Sequence, residues 1–358
     1  MIGLERVFVA GGAGFMGSAF CRALARDGVR TLVYDKLTYA GSLARLDAAT
    51  ASDQSDFVRA DICDAKALRE AIRAFAPDAI VNFAAETHVD RSIEDPAPFI
   101  ETNVKGAWTV ADTALGYWRA LPAARRIRFR LVHVSTDEVF GALDADSPAF
   151  SEISAYAPRS PYAASKAAAD HMVRSMALTF GLPLVVLHPS NTYGPYQYPE
   201  KLIPLTVLNA ILGEPMRVYG QGQQVRDWIH VDDVAAAILA VLERGRAGQS
   251  YLISGRAERK NISVVQTIAS ILDEFRPKHA PYSQQIRFVE DRPGHDFRYA
   301  SDPSGLENET GWRELVSFDG GLRQTIQWYL ENESWWSALR AEGFDGRRIG
   351  ADRTWNVS

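Results

Sequence analysis

Short apolar runs alternate with helical patterns along most of the chain. Six runs have the length and composition of buried strands, over residues 7–10, 31–34, 57–60, 79–83, 131–134 and 184–187. Apolar positions at helical spacing separate them, as over residues 65–75 and in a long stretch from Asp95 through Trp108. Strands that alternate with helices predict an α/β protein with a doubly wound parallel sheet.

The pattern changes after Pro195, where aromatic, glycine and proline residues cluster. A helix is predicted over residues 201–212, a strand over 216–219, a helix over 232–241 and a strand over 251–254. We expect residues 1–190, with a return at 229–256, to form the larger domain. Residues 191–228 and 257–358 would form a smaller C-terminal α/β substrate-binding domain. The stretch from Trp335 onward has little periodicity and is predicted to be a surface-packed tail.

A glycine-rich turn joins the first predicted strand to the first predicted helix. Gly11, Gly14 and Gly17 allow a tight turn, close approach of the main chain to a pyrophosphate, and close packing of helix on strand. The N-terminus of the helix adds N–H groups and positive potential for the phosphates. Because the turn lies between a strand and a helix, it predicts a dinucleotide site in a Rossmann domain rather than an ordinary glycine turn.

Polar or small residues follow the next three predicted strands. Asp35 stands at the spacing where an acid binds the adenosine ribose, and its charge would repel a 2′-phosphate. It therefore favours NAD over NADP, a preference that the neighbouring Lys36 weakens. Asp61 is placed to contact the adenine or to cap the helix that follows. Ala84 and Ala85 are small enough for the main chain to lie against the cofactor.

A tyrosine and a lysine share one face of a predicted helix that starts at Pro161, a residue suited to a first helical turn. Tyr162 and Lys166 stand four residues apart. A neighbouring ammonium lowers the pKa of a phenol, which is about 10 in water, and so favours the phenolate. The pair therefore predicts a general base, and the alternative is a solvated helix face without chemistry.

The fifth predicted strand runs into an acid pair, Asp137 and Glu138, preceded by Ser135 and Thr136. Two adjacent carboxyl groups in a closed site acquire different pKa values, so that one is protonated while the other is ionised. The alternative is a plain acidic turn. Because the carboxyl ends of parallel strands meet at one edge of a sheet, we expect the acids, the glycine turn and Tyr162 to share one site.

Composition argues against several other classes of protein. The chain has 358 residues, of which 47% are hydrophobic and 23% charged, and its net charge of −5 offers no basic surface for nucleic acid. Cys21 and Cys63 lack metal-ligand spacing, which favours a reducing compartment and no metal. The N-terminal residues predict a strand rather than a signal peptide, and no apolar run is long enough to span a bilayer. We expect a cytoplasmic protein without a membrane or nucleic-acid partner.

The motifs resemble those of the extended short-chain dehydrogenase/reductase superfamily and, within it, those of the dTDP-glucose 4,6-dehydratase family. The resemblance covers nearly the whole chain. Its discriminating piece is Thr136-Asp137-Glu138, because sugar epimerases of the superfamily keep the glycines and the Tyr/Lys pair but lack this acid pair. It also includes residues 35–41, 60–64, 86–92, 99–103, 135–139, 193–195, 199–204, 226–228 and 291–296.

The resemblance implies an NAD-dependent lyase that dehydrates dTDP-glucose. Oxidation at C4 comes first, because a C4 ketone acidifies the C5–H bond. Tyr162, as phenolate, would take the C4 hydroxyl proton while Thr136 hydrogen-bonds the C4 oxygen. Glu138 would remove the C5 proton and Asp137 would protonate the departing C6 oxygen. Hydride then returns to C6, and Lys166 would also bind the nicotinamide ribose.

The resemblance also implies the binding residues. For NAD these are Gly11, Gly14, Phe15, Met16, Gly17, Asp35, Lys36, Thr38, Asp61, Ile62, Ala84, Ala85, Thr102, Ser135, Tyr162, Lys166 and Thr192. For the nucleotide-sugar substrate they are Thr87, His88, Thr136, Asn191, Glu200, Lys201, Leu202, Arg226, Asn261, Arg292, His295 and Tyr299. Arg226 and Arg292 suit a diphosphate because guanidinium presents paired donors. Surface salt bridges are the alternative for both, and a core or surface position is the alternative for His88.

Four positions depart from the family's usual pattern. Pro189 stands where cysteine is usual, and Thr192 replaces an amide near the nicotinamide. Thr87 replaces a serine near the sugar, and Met16 replaces an isoleucine under the pyrophosphate. The acid pair is untouched, but a different nucleotide or a modified sugar stays open.

Two other functions stay open as well. A 4-epimerase or decarboxylase acting on a related nucleotide sugar would not need the acid pair, and a catalytically silent NAD-binding scaffold would not need Tyr162. The resemblance further implies a homodimer, joined through the long helix near residues 99–117 and the helix that carries Tyr162. Met172 and Met176 could serve that contact or the core of the monomer.

Overall fold

Seven parallel strands form the central sheet of the computed structural model, which describes residues 4–46, 55–292 and 294–341. The strands of these residues are β1 Arg6–Ala10, β2 Arg30–Asp35, β3 Ser55–Arg59, β4 Ala79–Asn82, β5 Arg130–Val134, β6 Leu184–Pro189, β7 Asn191–Tyr193, β8 Met216–Tyr219, β9 Val225–His230, β10 Ser250–Ile253, β11 Glu258–Lys260 and β12 Ile286–Val289. The central sheet has the spatial order β3-β2-β1-β4-β5-β6-β10. The chain reverses its direction of winding between β1 and β4, the place where such sheets bind ligands.

Helices connect these strands and cover both faces of the sheet. They are α1 Phe15–Arg26, α2 Ala65–Phe75, α3 Val89–Glu94, α4 Ala97–Phe99, α5 Ala107–Ala120, α6 Ala123–Arg128, α7 Pro161–Phe180, α8 Leu202–Leu212, α9 Val231–Arg244, α10 Asn261–Phe275, α11 Ser304–Thr310, α12 Phe318–Glu331 and α13 Glu333–Ala341. Single 3₁₀ turns occur at Leu43–Arg45, Asp137–Phe140 and Tyr282–Gln285.

The alternation of side chains along β1 shows how the sheet is buried. Val7 and Val9 pack into a core that includes Leu24 of α1, while Phe8 packs into a second core that includes Ile72 of α2. Successive side chains of a strand point to opposite faces, so a strand that is apolar at every position is covered on both sides. The short, continuous apolar runs in the sequence therefore predict the sheet correctly, and the doubly wound α/β fold is confirmed.

A third core holds together a second unit, which is formed by the small sheets and the helices α8, α10, α12 and α13. Val207 of α8, Ile268 of α10 and Leu322 of α12 meet in it, beside the small sheets β11-β9-β7 and β12-β8. Strand β10 pairs with β6 in parallel, so the chain returns to the central sheet before it completes this unit. The residue limits proposed above for the two domains stay a prediction.

The helix predicted over residues 65–75 and the strand predicted over residues 216–219 are confirmed end for end. The regular helix predicted from Asp95 onward is wrong in its middle. Between α4 and α5 the chain widens into a π-helical turn over Ile100–Gly106. The side chain of Asn103 points inward from this turn. Its amide oxygen accepts from the N–H of Glu86 and its amide nitrogen donates to the hydroxyl of Ser165 on α7, both at 2.8 Å. Such turns often lie at functional sites.

The prediction of a surface-packed tail is wrong for its first residues. Trp336 on α13 is almost fully buried in the third core, and its indole N–H donates to the carbonyl oxygen of Tyr329 at 2.8 Å. The rest of that predicted tail, after residue 341, lies outside the described residues. Of the helices described, none combines the length and apolar character that crossing a lipid bilayer requires.

Candidate active site

A cavity of about 620 Å³ lies where the carboxyl ends of the parallel strands face the second unit. Its wall contains every residue that the sequence predicted for catalysis, NAD or substrate, apart from Lys166 and Tyr299. The glycine turn, the acid pair and the phenol of Tyr162 thus share one space, as expected from the placement of strand ends.

The glycine turn fits a dinucleotide phosphate group. Gly11 has a φ of +74°, and a Cβ built there would lie only 2.5 Å from the amide nitrogen of Ala84. A Cβ at Gly17 would lie 2.3 Å from the carbonyl oxygen of Gly11. Gly14 occupies the N-cap of α1, so the free N–H groups of the first helical turn face the cavity. The cradle is made of main chain, and a side chain at either glycine would close it.

Asp35 is fixed at the end of β2 by two main-chain donors. Its Oδ2 accepts from the N–H of Ala13 at 3.0 Å, and its Oδ1 accepts from the N–H of Leu37 at 2.8 Å. Burial raises the pKa of this carboxyl above its usual value, while the two N–H groups act in the opposite direction. Each oxygen retains a lone pair for a ribose hydroxyl, so the residue fits an adenosine ribose.

One alternative considered for Asp61 is wrong. The N-cap of α2 is Asp64, whose Oδ1 accepts from the N–H groups of Lys66 and Ala67, both at 3.0 Å. Asp61 instead accepts from the N–H of Cys63 at 2.9 Å and lies 3.4 Å from the ammonium of Lys36. It lines the cavity, and its contact with the adenine stays a prediction.

The acid pair lies in a 3₁₀ turn directly after β5. Thr136 caps this turn, because its Oγ1 accepts from the N–H of Glu138 at 3.3 Å. Asp137 is 2% exposed, and burial, followed by the charge of Glu138, raises its pKa well above the usual range for a carboxyl. Burial also raises the pKa of Glu138, but here three cations oppose the rise, on Arg292, Lys201 and Arg226. Burial therefore disfavours the ionised form of both carboxyls, and the three cations oppose this effect at Glu138.

The expected effect of Lys166 on Tyr162 is not what the structure shows. The Lys166 ammonium is buried beneath the cavity and donates to the carbonyl oxygen of Val134 at 2.8 Å, and burial lowers its pKa to about 8. Burial and the charge of Glu138 raise the pKa of Tyr162 above its ordinary value, and the hydroxyl of Thr136 opposes this rise. A lysine four residues away on a helix can turn to a carbonyl, which sequence spacing does not reveal.

Behind the acid pair lies a buried polar network centred on Asp170. Its Oδ2 accepts from the hydroxyls of Ser135 at 2.7 Å and Tyr156 at 2.9 Å, and lies 3.1 Å from Nε2 of His188. His133 approaches the other oxygen at 3.5 Å. The two histidines lower the pKa of Asp170 despite its burial. The network fixes the hydroxyl of Ser135, a residue that lines the cavity.

Cations converge on the opposite wall. The guanidinium of Arg226 donates to the carbonyl oxygen of Asp296 at 2.9 Å and lies 4.2 Å from the ring centroid of Tyr299. Arg292 lies 3.6 Å from the carboxylate of Asp90. Tyr299 is buried against Arg226 and does not line the cavity, so its contact with substrate stays a prediction.

Two histidines line the same wall in neutral form. The Nδ1 of His88 accepts from the N–H of Arg91 at 3.2 Å and so caps α3, and burial lowers its pKa to about 2. Glu200 lies 3.8 Å from its Nε2, but the cations nearby outweigh that carboxyl. Burial, followed by Arg292, lowers the pKa of His295 to about 4. Both histidines line the cavity, and their contacts with substrate stay a prediction.

The departures at residues 189–192 lie on the cavity wall. The hydroxyl of Thr192 donates to the carbonyl oxygen of Ser190 at 3.0 Å, and so it is turned toward its own loop. The amide oxygens of Asn191 and of Asn261 are buried without a hydrogen-bond partner among the described residues. Buried acceptors that face a cavity are available to a ligand that donates hydrogen bonds.

Some residues of the cavity wall are not predicted by the sequence motifs. Among them are Asp90, Gln197, Tyr198, Arg217 and Tyr219. Asp90 lies within the segment 86–92 already singled out, so its charge was an available signal. It accepts from the hydroxyl of Tyr219 at 3.2 Å. Arg217 and Tyr219 belong to a short strand of the second unit, where no side-chain pattern marks them.

Comparison with known proteins agrees with this geometry. The family described as GDP-mannose 4,6 dehydratase matches residues 8–325. The chain is 49% identical to the probable dTDP-glucose 4,6-dehydratase of Sinorhizobium fredii, over 96% of this chain and 98% of that protein. It is 46% identical to the dTDP-glucose 4,6-dehydratase of Salmonella typhimurium, over 95% of this chain and 96% of that protein.

Solved structures give the same result. The dTDP-glucose 4,6-dehydratase of Streptomyces venezuelae, with NAD and TYD bound, superimposes with a TM-score of 0.85 at 44% identity, covering 93% of this chain and 99% of that chain. The UDP-glucose 4-epimerase of Thermus thermophilus, in complex with NAD, reaches a TM-score of 0.80 at 28% identity, covering 91% and 99%. The chain therefore belongs to the dTDP-glucose 4,6-dehydratase family of the extended short-chain dehydrogenases/reductases.

Proposed function

We propose that this protein catalyses the NAD-dependent dehydration of dTDP-glucose to dTDP-4-keto-6-deoxyglucose. The observation that carries the proposal is the acid pair Asp137-Glu138 in the same cavity as Tyr162 and the glycine turn. The printed names of the relatives, and the NAD in the solved structures, support both the reaction and the cofactor. An epimerase would have no use for two adjacent carboxyls at this position.

Oxidation at C4 is assigned to Tyr162 and Thr136. When bound, NAD supplies the reversible hydride storage that the C4 oxidation and the C6 reduction require. Tyr162 accepts the C4 hydroxyl proton, and the Thr136 hydroxyl holds the C4 oxygen. Because Glu138 and Asp137 both raise the pKa of Tyr162, a protonated Asp137 favours the phenolate by removing one of the two negative charges.

Elimination of water is assigned to the acid pair. Glu138 removes the C5 proton once C4 is a ketone and gives a proton back to C5 when C6 is reduced, and Asp137 gives its proton to the departing C6 oxygen. Burial raises the pKa of Asp137 well above its usual range, which favours the protonated acid that this step requires. The cations around Glu138 counter the rise in its own pKa and so favour the ionised base.

Binding of the nucleotide is assigned to the wall opposite. Arg226 and Arg292 would take the diphosphate, because each guanidinium presents paired donors. Glu200, Asn191 and Asn261 lie around the same space and would contact the sugar and the base. The pairing of Arg292 with Asp90 holds that guanidinium ready at the wall.

A homodimer and a cytoplasmic location are part of the proposal. Ile100, Trp108 and Met172 are 59%, 40% and 39% exposed on the helical face that includes α5 and α7, an apolar surface suited to a second copy. Met176 is 6% exposed and belongs to the monomer core. Both cysteines are free thiols, which supports a reducing compartment.

Incubation of the purified protein with dTDP-glucose tests the proposal. A base-labile 4-keto chromophore is expected, with NAD regenerated in each turnover. An epimerase would give a 4-epimer without the chromophore, and a silent scaffold would leave the sugar unchanged. Parallel reactions with UDP-glucose and GDP-mannose test the nucleotide and the sugar that the changes at residues 189 and 192 leave open.

A further inference from the structure

We propose that Arg45 is a clasp that sets how long NAD stays bound. The proposal rests on the NAD dependence proposed above. Arg45 was not predicted to act in the site, and it does not line the cavity. Its side chain is completely buried, and its contacts join the segment after Asp35 to the glycine turn and to the second unit.

The contacts of the guanidinium reach three separate segments. Its Nη1 donates to the carbonyl oxygen of Ala13 in the glycine turn, at 3.3 Å, and to that of Ala40. Its Nε donates to the carbonyl oxygen of Tyr196 at 2.9 Å. The guanidinium also lies 5.4 Å from the ring centroid of Trp335 on α13. One planar cation therefore holds together main chain that lies far apart in the sequence.

The segment that Arg45 closes carries part of the predicted NAD site. Lys36, Thr38 and Gly41 lie between Asp35 and Arg45 and line the cavity. The N–H of Ser42 also donates to the carbonyl oxygen of Ala13, at 3.1 Å. The N–H of Ala13 donates to Asp35. Both main-chain polar groups of Ala13 are therefore hydrogen-bonded, which holds the glycine turn in place. Loss of the clasp would free the segment to swing away from the cofactor.

The other end of the clasp reaches the second unit. Tyr196 lies shortly after β7, the strand that carries Thr192, and its φ of +67° is unusual for a residue with a side chain. Its ring packs against Trp328 at 4.5 Å and under the guanidinium of Arg22 at 4.8 Å, measured between centres. The carbonyl oxygen of Tyr196, which accepts from Arg45, is therefore held in a fixed position. Through this contact Arg45 can hold the two units together over the cofactor.

A lysine would replace this arginine only in part. Burial lowers the pKa of Arg45 to about 10, so it keeps its charge at neutral pH. Three acceptors in different directions suit the fork of a guanidinium, whereas an ammonium is a compact point charge on a flexible stem. Arg45→Lys should therefore preserve the charge and lose part of the geometry.

Release of NAD from the full chain tests the clasp without any sugar nucleotide. Protein loaded with NAD is mixed with an NAD-consuming scavenger, and the bound fraction is followed over time. We expect Arg45→Met to release NAD at least tenfold faster than the wild type and Arg45→Lys about threefold faster. Arg26→Met, which changes an exposed arginine on α1, should release it at the wild-type rate. Saturating NAD should restore the turnover number of both Arg45 variants.

Release at the wild-type rate from Arg45→Met would overturn the clasp. If Arg45→Met does not fold, Arg45→Lys decides alone, and wild-type release from that variant would have the same consequence. Faster release of NAD, together with a turnover number that saturating NAD does not restore, would indicate a general loss of structure and would also count against the clasp. If the wild type itself does not bind NAD, the proposed function fails first, which the experiment shows before any variant is compared.

Discussion

The two ends of the cavity are built in different ways. The cofactor half, formed by Gly11, residues 14–17, Asp35, Ala84 and Ala85, consists mainly of main chain and small side chains at neighbouring strand ends. The sugar half, formed by the acid pair, Glu200, Arg226 and Arg292, consists of charged side chains from separate segments. The cofactor half would bind its ligand through the shape of the cavity wall, and the sugar half would act through the balance of its charges. A substitution should therefore act through contact distances in one half and through charge in the other.

The largest effect is expected from Glu138→Gln. The change removes the base and keeps the shape, so turnover of dTDP-glucose should fall by about 10²–10⁴-fold. Uptake of deuterium at C5 from heavy water should nearly vanish. NAD should still bind, because the cofactor half is unchanged. Mass spectrometry of the recovered sugar measures the uptake.

The matched control is Glu94→Gln, which makes the same chemical change at an exposed position in α3. It should leave both turnover and deuterium uptake at the wild-type level. Normal uptake in Glu138→Gln would remove this residue from the role of base and leave the acid pair without its assigned chemistry.

In the cofactor half, Gly11→Ala should come next in size. A Cβ there would lie 2.5 Å from the nitrogen of Ala84, and the φ of +74° is unfavourable for alanine. The affinity for NAD should drop by at least about 100-fold, or roughly 2.7 kcal/mol. Isothermal titration of the cofactor-free protein measures it.

Gly28→Ala separates the two causes. Gly28 has a similar φ of +71°, but nothing lies within 4 Å of a Cβ built there. This variant should lose about 1–2 kcal/mol of stability from backbone strain and should bind NAD normally. Equal losses of NAD affinity in both variants would mean that strain, rather than the closed cradle, explains the first result.

The same contrast explains how much could be predicted from the sequence. The glycine turn and the acid pair follow directly after strands, and a strand, a turn and a helix are local features that spacing reveals. The pairing of Asp90 with Arg292 joins distant segments, and only the fold brings them together. The pKa of Tyr162 depends on burial and on the direction in which Lys166 turns, and the spacing of the two residues reveals neither, so the phenolate stays a prediction.

A smaller effect is expected from Arg292→Lys in the sugar half. The charge stays, but the paired donors for a diphosphate are lost. The KM for dTDP-glucose should rise by about tenfold, equivalent to about 1.4 kcal/mol, with a smaller change in kcat. Arg287→Lys, at an exposed position of β12, is the control and should change neither. A fall in kcat at unchanged KM would place Arg292 with the reacting groups instead of the diphosphate.

The smallest effect tests the charge balance through stability. His88 is neutral in the folded protein, since its pKa of about 2 lies below the value near 6.5 of an unfolded chain. As the pH falls below 6.5, the unfolded chain takes up a proton that the folded protein refuses, so stability present above that pH is lost. His88→Asn keeps a cap for α3 and removes the proton uptake. Relative to the wild type, it should therefore gain about 0.8 kcal/mol between pH 8 and pH 6 in denaturant titrations.

His279→Asn, at an exposed histidine, is the control and should follow the wild type at both values of pH. A His88→Asn curve parallel to the wild type would mean that His88 binds its proton equally in both states. The N–H of Arg91 could not then donate to its Nδ1 in the folded protein, because a protonated ring has no acceptor. Lys201 and Arg292 would then have no net effect on the pKa of His88. Because the same two cations oppose the rise in the pKa of Glu138, the different roles proposed for Asp137 and Glu138 would lose their electrostatic basis.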